Sequence, residues 1–330
     1  MPSLGLGRYI AVRIAWAVFT VAGILFINFL VMRLVPGDPV LALVGEFPVP
    51  PDYIENMRRQ LGLDQPIAVQ LWLYLVGLAK GDLGFSFVNR LPVVDTIFSR
   101  ASYTLLLMLP ALVLASFIGV ALSIVAAPRA GGAIDSAVSA ISTFGYSVPI
   151  FWLGQVLVVI FVLNLGWLPA QGMTSLRAPR TGVGSILDIV WHMVLPVFCI
   201  TIYYLAVIAR VARASVMQAL HQDFVLTARG KGLSRRYVLW RHVLPNAFLP
   251  VITVIGYSFG HSLTGAILVE TVFSWPGLGQ LFINSIASRD YPTLQGIFLM
   301  TSTLVVCVNL LTDVLYAFID PRVRLGGAHG

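Results

Sequence analysis

The chain has 330 residues, of which 58% are hydrophobic and 11% are charged, and its mean hydropathy is +0.88. Because a typical soluble domain carries roughly 25% charged residues, this composition excludes an ordinary soluble protein. The formal net charge of +7 does not indicate a nucleic-acid partner, given the hydropathy and the placement of the cations between apolar segments. The two cysteines, Cys199 and Cys307, lie far apart in apolar runs without metal-ligand spacing.

Six intervals free of Asp, Glu, Lys and Arg predict transmembrane helices, since a helix needs roughly 20 apolar residues to cross a bilayer. They are residues 14–32, 101–128, 136–176, 189–209, 243–269 and 291–312, the third including an external loop after about Leu165. The first apolar core is longer than that of a secretory signal peptide, and no small-x-small cleavage site follows it. We therefore predict that residues 1–35 form a tail and an uncleaved first helix.

The distribution of cations predicts the orientation in the membrane. Twelve of the 21 Lys and Arg residues, but four of the 14 acids, fall in the tail to Arg13, the turn 128–135, the loop 210–245 and the tail after Asp313. Because Lys and Arg are enriched on the cytoplasmic side, both termini are predicted to be cytoplasmic.

The segment 36–100 is the largest predicted extracytoplasmic piece. RLVPGDP (Arg33–Pro39) ends the first helix, and Pro51 with nearby acids predicts a helix start. Residues 65–79 are apolar but too short to span, which favours an interfacial or protein-packed helix. GDLGFSF (81–87) then predicts a turn.

The third span contains STFGYSVPIFWLG (142–154), in which Gly145 and Pro149 interrupt the helix. Such breaks are tolerated at membrane depth where neighbours or a water-filled path satisfy the backbone. The flanking polar residues are therefore candidates for lining a pathway: Ser142, Tyr146 and Ser147. A kinked packing helix is the alternative interpretation.

The fifth span combines small and polar residues. Gly256-x-x-x-Gly260 predicts a close helix–helix interface, most simply with a partner chain. An ionisable residue such as His261 at mid-span is a functional candidate, although a neutral histidine bonded to a neighbouring helix also fits. Further candidate pathway residues here are Ser258, His261 and Ser262. Near the inner end of the last span, Asp313 is predicted to pair with Arg210 or Arg213, which would offset the cost of burying its charge.

A basic segment, residues 214–245, separates the fourth and fifth spans, with five cations between Arg229 and Arg241. Its apolar spacing predicts two short helices that meet at a Gly230–Gly232 turn, with Ser234 capping the second helix and Pro245 ending or kinking it. By composition alone this could be an ordinary basic cytoplasmic loop. However, one spacing pattern in this segment resembles the G-x9-I-x-L-P core of the EAA loop of ABC-importer permeases. It consists of Gly232, nine further residues and then His242-Val-Leu-Pro245.

Further motifs occur in the order of the same family. TARGKGLS in the loop resembles the dipeptide/oligopeptide/nickel permeases, although Leu226 and Thr227 replace the general motif's glutamate and alanine, and His242 replaces its isoleucine. RLVPGDP, GDLGFSF, GWLPAQG and ETVFSWPGLG followed by RDYPTLQG also resemble these permeases, in their B-type form. The resemblance extends from about Arg8 to Arg324.

This resemblance implies an all-α integral protein of the bacterial cytoplasmic (inner) membrane with six transmembrane helices, the type I ABC importer permease (MetI-like) fold, and an extracytoplasmic segment between helices 1 and 2. It implies a five-helix core over 101–324, with the coupling loop at 214–245 and a short tail at 325–330. The implied partners are a second related permease, two ATPase subunits (or one fused chain) that bind ATP and Mg²⁺, an extracytoplasmic solute-binding protein, lipid and a peptide substrate. The implied ATPase contacts are Phe224, Ala228, Arg229, Gly232, Arg235, His242, Leu244 and Pro245.

The sequence offers no site for chemistry of its own. Gly230-Lys231-Gly232 lacks the spacing of a phosphate loop, and no HExxH or CxxC occurs, so we expect neither an enzyme nor a bound cofactor. Within the family, nickel or another small solute is the alternative substrate. From other classes, an ion-coupled secondary transporter would need inverted repeats and midplane ion-binding residues. A membrane-embedded enzyme would need clustered catalytic groups, to which isolated His261 and Asp313 come nearest.

Overall fold

The computed structural model describes residues 6–34, 40, 50–60, 62–86, 88–175 and 181–319. Residues 35–39 of the RLVPGDP motif, Phe87 of GDLGFSF and the tail from 320 onward, including 325–330, lie outside the described residues. The helices are α1 (Leu6–Leu34), α2 (Pro51–Gln60), α3 (Ile67–Ala79), α4 (Val93–Ala126), α5 (Ala133–Ser147), α6 (Ile150–Leu157), α7 (Val183–Leu220), α8 (Asp223–Gly230), α9 (Arg235–Val238), α10 (Leu244–Val272), α11 (Leu278–Ala287) and α12 (Tyr291–Ile319). The strands β1 (Phe85–Ser86) and β2 (Leu91–Pro92) form one antiparallel pair.

Five described helices, α1, α4, α7, α10 and α12, are long and apolar enough to cross a membrane. A sixth span results if α5 and α6 are counted together, because they are bent by 97° across a short break and α6 continues as a π-helix to Asn164. Pro149 lies at the break and cannot donate a backbone hydrogen bond, which explains why the helix is interrupted there. The fold therefore agrees with the six predicted spans.

Two helices extend beyond their predicted ends. α4 begins at Val93, so residues 93–100 belong to a helix of the bundle and not to a separate 36–100 segment. Val93 and Ile97 are fully buried against α11 and α12, which accounts for the early start. α7 is 38 residues long and continues to Leu220, well into the predicted loop 214–245, because its last turns still have a buried face.

The core of the bundle is the packing of α4 against α7. Gly119 makes a close approach possible, since a Cβ there would lie 3.2 Å from the backbone nitrogen of Ala209. Beside it, the buried Ser123 hydroxyl donates to the Ala209 carbonyl at 2.9 Å. Small residues let helix backbones approach in this way.

The glycine pair of α10 faces this chain's own last helix. A Cβ on Gly256 would overlap Thr312, and one on Gly260 would lie 3.6 Å from Val305, both on α12. The prediction that a partner chain covers Gly256 and Gly260 is therefore wrong. The spacing correctly indicated a close helix contact but contained no information about which helix makes it.

At the end of the bundle away from segment 214–245, the β-pair and α11 form what we call the capped end. Glu270 is fully buried there and accepts hydrogen bonds from the Thr104 hydroxyl (2.6 Å), the Gly279 N–H (2.7 Å) and the Gln280 N–H (3.2 Å). A Cβ on Gly277 would overlap this carboxylate. These contacts explain why the ETVFSWPGLG stretch needs its glutamate and its glycine.

A second buried carboxylate ties the β-pair to the start of α12. Asp290 is 1% exposed and accepts hydrogen bonds from the Ser86 hydroxyl at 2.5 Å and the Thr293 hydroxyl at 2.7 Å. Nearby, the indole N–H of the fully buried Trp275 donates to the Tyr103 carbonyl at 2.9 Å. The capped end is thus stabilised by polar groups that satisfy one another.

Candidate functional site

The segment His221–Val243, which we call the basic hairpin, joins the ends of α7 and α10. α8 and α9 meet at a turn in which Gly232 has a φ of 76°, a left-handed conformation that glycine adopts without strain. The Ser234 hydroxyl accepts a hydrogen bond from the Tyr237 N–H at 3.3 Å and caps α9. The predicted two-helix turn and its serine cap are both confirmed.

The helix does not end at Pro245. Residues Leu239–Val243 widen into a π-helical turn, and Pro245 lies in the first turn of α10. Because proline lacks an N–H, it cannot form the bond to the carbonyl four residues earlier, and a π-bulge accommodates that loss. The chain therefore passes from the basic hairpin into α10 without interruption.

A small core fixes the basic hairpin to the bundle. Val225 is fully buried, and Ala228 and Leu244 are 5% and 3% exposed, packed with Val216 and Ala219 of α7. Ala228 and Leu244 therefore face inward. This differs from the prediction that both belong to the outer contact surface of the basic hairpin. Their side chains instead hold α8 and α10 together.

The outer face of the basic hairpin combines large apolar groups with positive charge. Leu226, Tyr237 and Trp240 are 64%, 50% and 57% exposed, and Phe224, which lies on α8 with Leu226, is 36% exposed. Within the described part of the chain, no ion pair involves its five cations, which are Arg229, Lys231, Arg235, Arg236 and Arg241. Its one acid is Asp223. Such a surface suits a partner with an apolar groove bordered by acidic groups.

The predicted pairing of Asp313 with Arg210 or Arg213 is wrong. Asp313 pairs with Arg13 at 3.0 Å, because α1 packs alongside α12 and brings that arginine to it. Arg213 instead forms a bidentate ion pair with the buried Asp135 of α5, with Nη2 and Oδ2 2.7 Å apart. Arg210 forms an ion pair with neither Asp313 nor Asp135, and its guanidinium lies over the ring of Tyr146, 5.1 Å from the ring centroid.

The six candidate pathway residues separate into two groups. Ser142, Ser258 and Ser262 are 4%, 2% and 1% exposed and lie in helix contacts, where the Ser262 hydroxyl donates to the Phe259 carbonyl at 2.7 Å. The others come together at one cavity of about 230 Å³. We call it the tyrosine cavity, and it is lined by Tyr146, Ser147, Ile150, Tyr203, Tyr204 and His261.

Sequence reasoning missed two members of this cavity, Tyr203 and Tyr204 of α7. Their rings are T-shaped at 5.1 Å, and Tyr146 stacks on Tyr203 at 6.1 Å. His261 stacks on Tyr257 at 5.7 Å. A pair of hydroxyl-bearing rings in an otherwise apolar span was the available signal. Among the described residues, no group of three His, Cys, Asp or Glu side chains is placed to hold a metal ion.

The chain matches known sequence families along most of its length. Residues 119–325 match the family described as "Binding-protein-dependent transport system inner membrane component", and residues 6–108 match "Binding-prot-dependent transport system membrane comp, N-term". The former family takes in the basic hairpin, the tyrosine cavity and α12.

Full-length relatives agree with this match. The chain is 40% identical to the di/tripeptide transport system permease protein DppB of Pseudomonas aeruginosa (strain UCBPP-PA14), over 96% of this chain and 98% of that protein. It is 37% identical to the dipeptide transport system permease protein DppB of Escherichia coli (strain K12), with the same coverage. The glutathione transport system permease protein GsiC of that strain is 39% identical, over 96% of this chain and 99% of that protein.

A solved structure supports the fold. A chain of the MetNI methionine ABC transporter, in an inward-facing conformation, superposes with a TM-score of 0.54 at 15% sequence identity, covering 68% of this chain and 96% of that chain. This likeness concerns the arrangement of helices alone. Together with the two matched sequence regions and the full-length relatives, it leads to one assignment: the chain belongs to the family of binding-protein-dependent transport system inner membrane components.

Proposed function

We propose that this chain is a permease subunit of an ATP-binding-cassette importer that carries dipeptides or oligopeptides. Relatives named for di/tripeptide and dipeptide transport align over nearly the whole chain, which supports a peptide substrate. The partners are a second permease, two ATPase subunits or one fused ATPase chain, and a solute-binding protein. The ATPases bind ATP and Mg²⁺, and this chain has no ATPase activity of its own.

The observation that carries this proposal is the outer face of the basic hairpin. The large apolar side chains of Leu226, Tyr237 and Trp240 are unfavourable in water and favourable in contact with another protein. The cations beside them form no ion pair with the described residues. The proposed ATPase contacts are Phe224, Arg229, Gly232, Arg235, His242 and Pro245, with Ala228 and Leu244 supporting them from inside. The basic hairpin and both termini lie on the cytoplasmic side in this proposal.

The basic hairpin is built to transmit displacement. Its core includes residues of both α7 and α10, and each of these helices continues from it into the bundle. When the ATPases close on ATP, they move the two coupling hairpins of the permease pair together. Because packed helices move as rigid bodies, that displacement reorients the spans and switches the pathway from inward-open to outward-open.

Gly232→Asp and Gly232→Asn test the docking. Apart from its two chain neighbours, no described residue has an atom within 4 Å of a Cβ at Gly232, so we expect an added side chain to meet a docked partner. Asparagine tolerates the left-handed backbone there. In proteoliposomes containing all partners, we expect ATP hydrolysis to become uncoupled from peptide uptake, with uptake falling about tenfold or more. Membrane insertion should be normal.

Gly166→Asn is the matched control, since Gly166 also has a positive φ (63°) and, apart from its chain neighbours, no described residue within 4 Å of a Cβ. It precedes the start of α7, whereas the basic hairpin follows the end of that helix. Wild-type coupling in both Gly232 variants would contradict the proposal. Uptake that survives without an ATPase but needs an ion gradient would support a secondary transporter instead.

The substrate class is tested by competition. One relative is named for glutathione transport, so a labelled dipeptide should be competed with by unlabelled di- and tripeptides and by glutathione in the same vesicles. Nickel ions should leave dipeptide uptake unchanged. Uptake of nickel but not of peptides would reassign the chain to the alternative substrate.

A further inference from the structure

The tyrosine cavity is lined by a hydroxyl group that has no hydrogen-bond partner among the described residues. Tyr204 is 4% exposed and lines the cavity. Among the residues that the structure describes, none forms a hydrogen bond with its hydroxyl group, whose oxygen is accessible from the cavity. Because a hydroxyl that faces a cavity and has no protein partner is free to donate, a ligand that accepts its hydrogen bond replaces only water.

The broken helix supplies further donors at the same place. Ser147, Pro149 and Ile150 line the cavity, and α6 begins at Ile150 with no side chain capping its first N–H groups. The start of a helix has free N–H groups and the positive end of the helix dipole, so it favours a negatively charged ligand.

A cation lies at one side of the cavity. The Arg210 guanidinium is held over the Tyr146 ring, 5.1 Å from its centroid, and no ion pair involves it in the described part of the chain. Stacking on a ring orients a guanidinium but leaves its N–H groups free to bind oxygen atoms. The one acid of α5, Asp135, is already paired with Arg213.

The residues lining the cavity include tyrosines, a serine and a histidine, and none of the described ones is acidic. Hydroxyl donors, a helix start and a free arginine without a competing carboxylate favour an anion over a cation. At about 230 Å³ the cavity is smaller than the roughly 300–1,000 Å³ of sites that enclose a whole small molecule. It therefore has room for one end of a peptide.

From this arrangement we infer that the tyrosine cavity binds the C-terminal carboxylate of the transported peptide, with Tyr204 and the start of α6 as donors. This inference rests on the proposed function, since the peptide must reach the cavity along the pathway. Arg210 is six residues farther along α7 toward the basic hairpin than Tyr204, which is about 9 Å. It attracts the carboxylate toward that end as the peptide moves.

Tyr204→Phe tests the hydroxyl directly, because it removes one oxygen atom and keeps the ring. In proteoliposomes with all partner subunits and saturating binding protein, we expect uptake of a dipeptide with a free carboxyl group to fall about tenfold. Uptake of the same dipeptide with a C-terminal amide should change less than about twofold. Tyr103→Phe, a partly buried tyrosine outside the cavity, is the matched control and should change neither.

Equal losses for the acid and the amide, or no loss for the acid, would overturn the inference. A wild-type importer that fails to take up any peptide would instead refute the proposed function, so the two failures are distinguishable.

A second measurement does not depend on substrate delivery. Ser147→Cys, with the exposed Cys307 replaced by serine and the buried Cys199 retained, places one accessible thiol at the cavity. A negatively charged methanethiosulfonate should label it about threefold or more faster than a positively charged one, after correction for their rates with a free thiol. Arg210→Gln should reduce this preference. Equal rates, or faster labelling by the cation, would show that the cavity does not attract anions and would overturn the inference.

Discussion

The two ends of the helical bundle differ in where their charged groups lie: they are buried at one end and exposed at the other. At the capped end, the carboxylates of Glu270 and Asp290 are buried and bonded to hydroxyl and N–H groups of this chain. In the basic hairpin, the charges are on the outer face, and the described residues form no ion pair with Arg229, Lys231, Arg235, Arg236 or Arg241.

The difference separates polar groups that stabilise this chain from those that are available to another molecule. A buried carboxylate must be satisfied internally, because leaving it unpaired costs several kcal/mol. An exposed cation has no such requirement, since water solvates it until a partner arrives. The comparison therefore predicts that substitutions at the capped end reduce stability, whereas substitutions of the cations reduce association with partners.

The largest expected loss of stability follows from Glu270→Ala. This change leaves the Thr104 hydroxyl and two N–H groups of α11 without their acceptor and creates a void, so we expect the free energy of unfolding to fall by about 3 kcal/mol or more. Thermal unfolding of the purified protein in detergent measures it. Glu270→Gln retains one acceptor oxygen and should lose less. A Glu270→Ala protein as stable as wild type would contradict this account of the capped end.

Ser86→Ala should have a smaller and more local effect. It removes the donor to Asp290 that ties β1 to the start of α12, at a cost of about 1–2 kcal/mol. We expect faster amide hydrogen exchange in the β-pair, with the protection of α7 unchanged. Ser288→Ala is a suitable control, because that hydroxyl is exposed and bonds only within its own helix end. Unchanged exchange in residues 85–92 would show that Ser86 does not hold the β-pair.

The smallest effect on stability is expected for Arg235→Gln in the basic hairpin. Since the described part of the chain gives Arg235 no ion pair, the free energy of unfolding should change by less than about 0.5 kcal/mol. Co-purification with the ATPase subunits should nevertheless weaken and become more sensitive to salt. Lys80→Gln, an exposed cation beside α3, is the control and should alter neither. A large loss of stability in Arg235→Gln would remove the distinction between the two ends.

Much of the fold follows from local features of the sequence. The apolar intervals predicted the spans, and Pro149 predicted the break that separates α5 from α6. Ser234 and Gly232 predicted the cap and the left-handed turn of the basic hairpin. Each of these features depends on residues within a few positions of one another, so a single sequence contains the information.

What the sequence determined by itself was thus the number of spans, their breaks and the turn chemistry of the basic hairpin. The tertiary structure decided which groups meet: Arg13 with Asp313, Gly256 with Thr312, and Tyr204 with Tyr146 and His261 in one cavity. These contacts join residues that lie 50 to 300 positions apart in the chain. Helical periodicity gives the face on which a residue lies but not the neighbour that covers it, because that choice depends on how all the helices pack together.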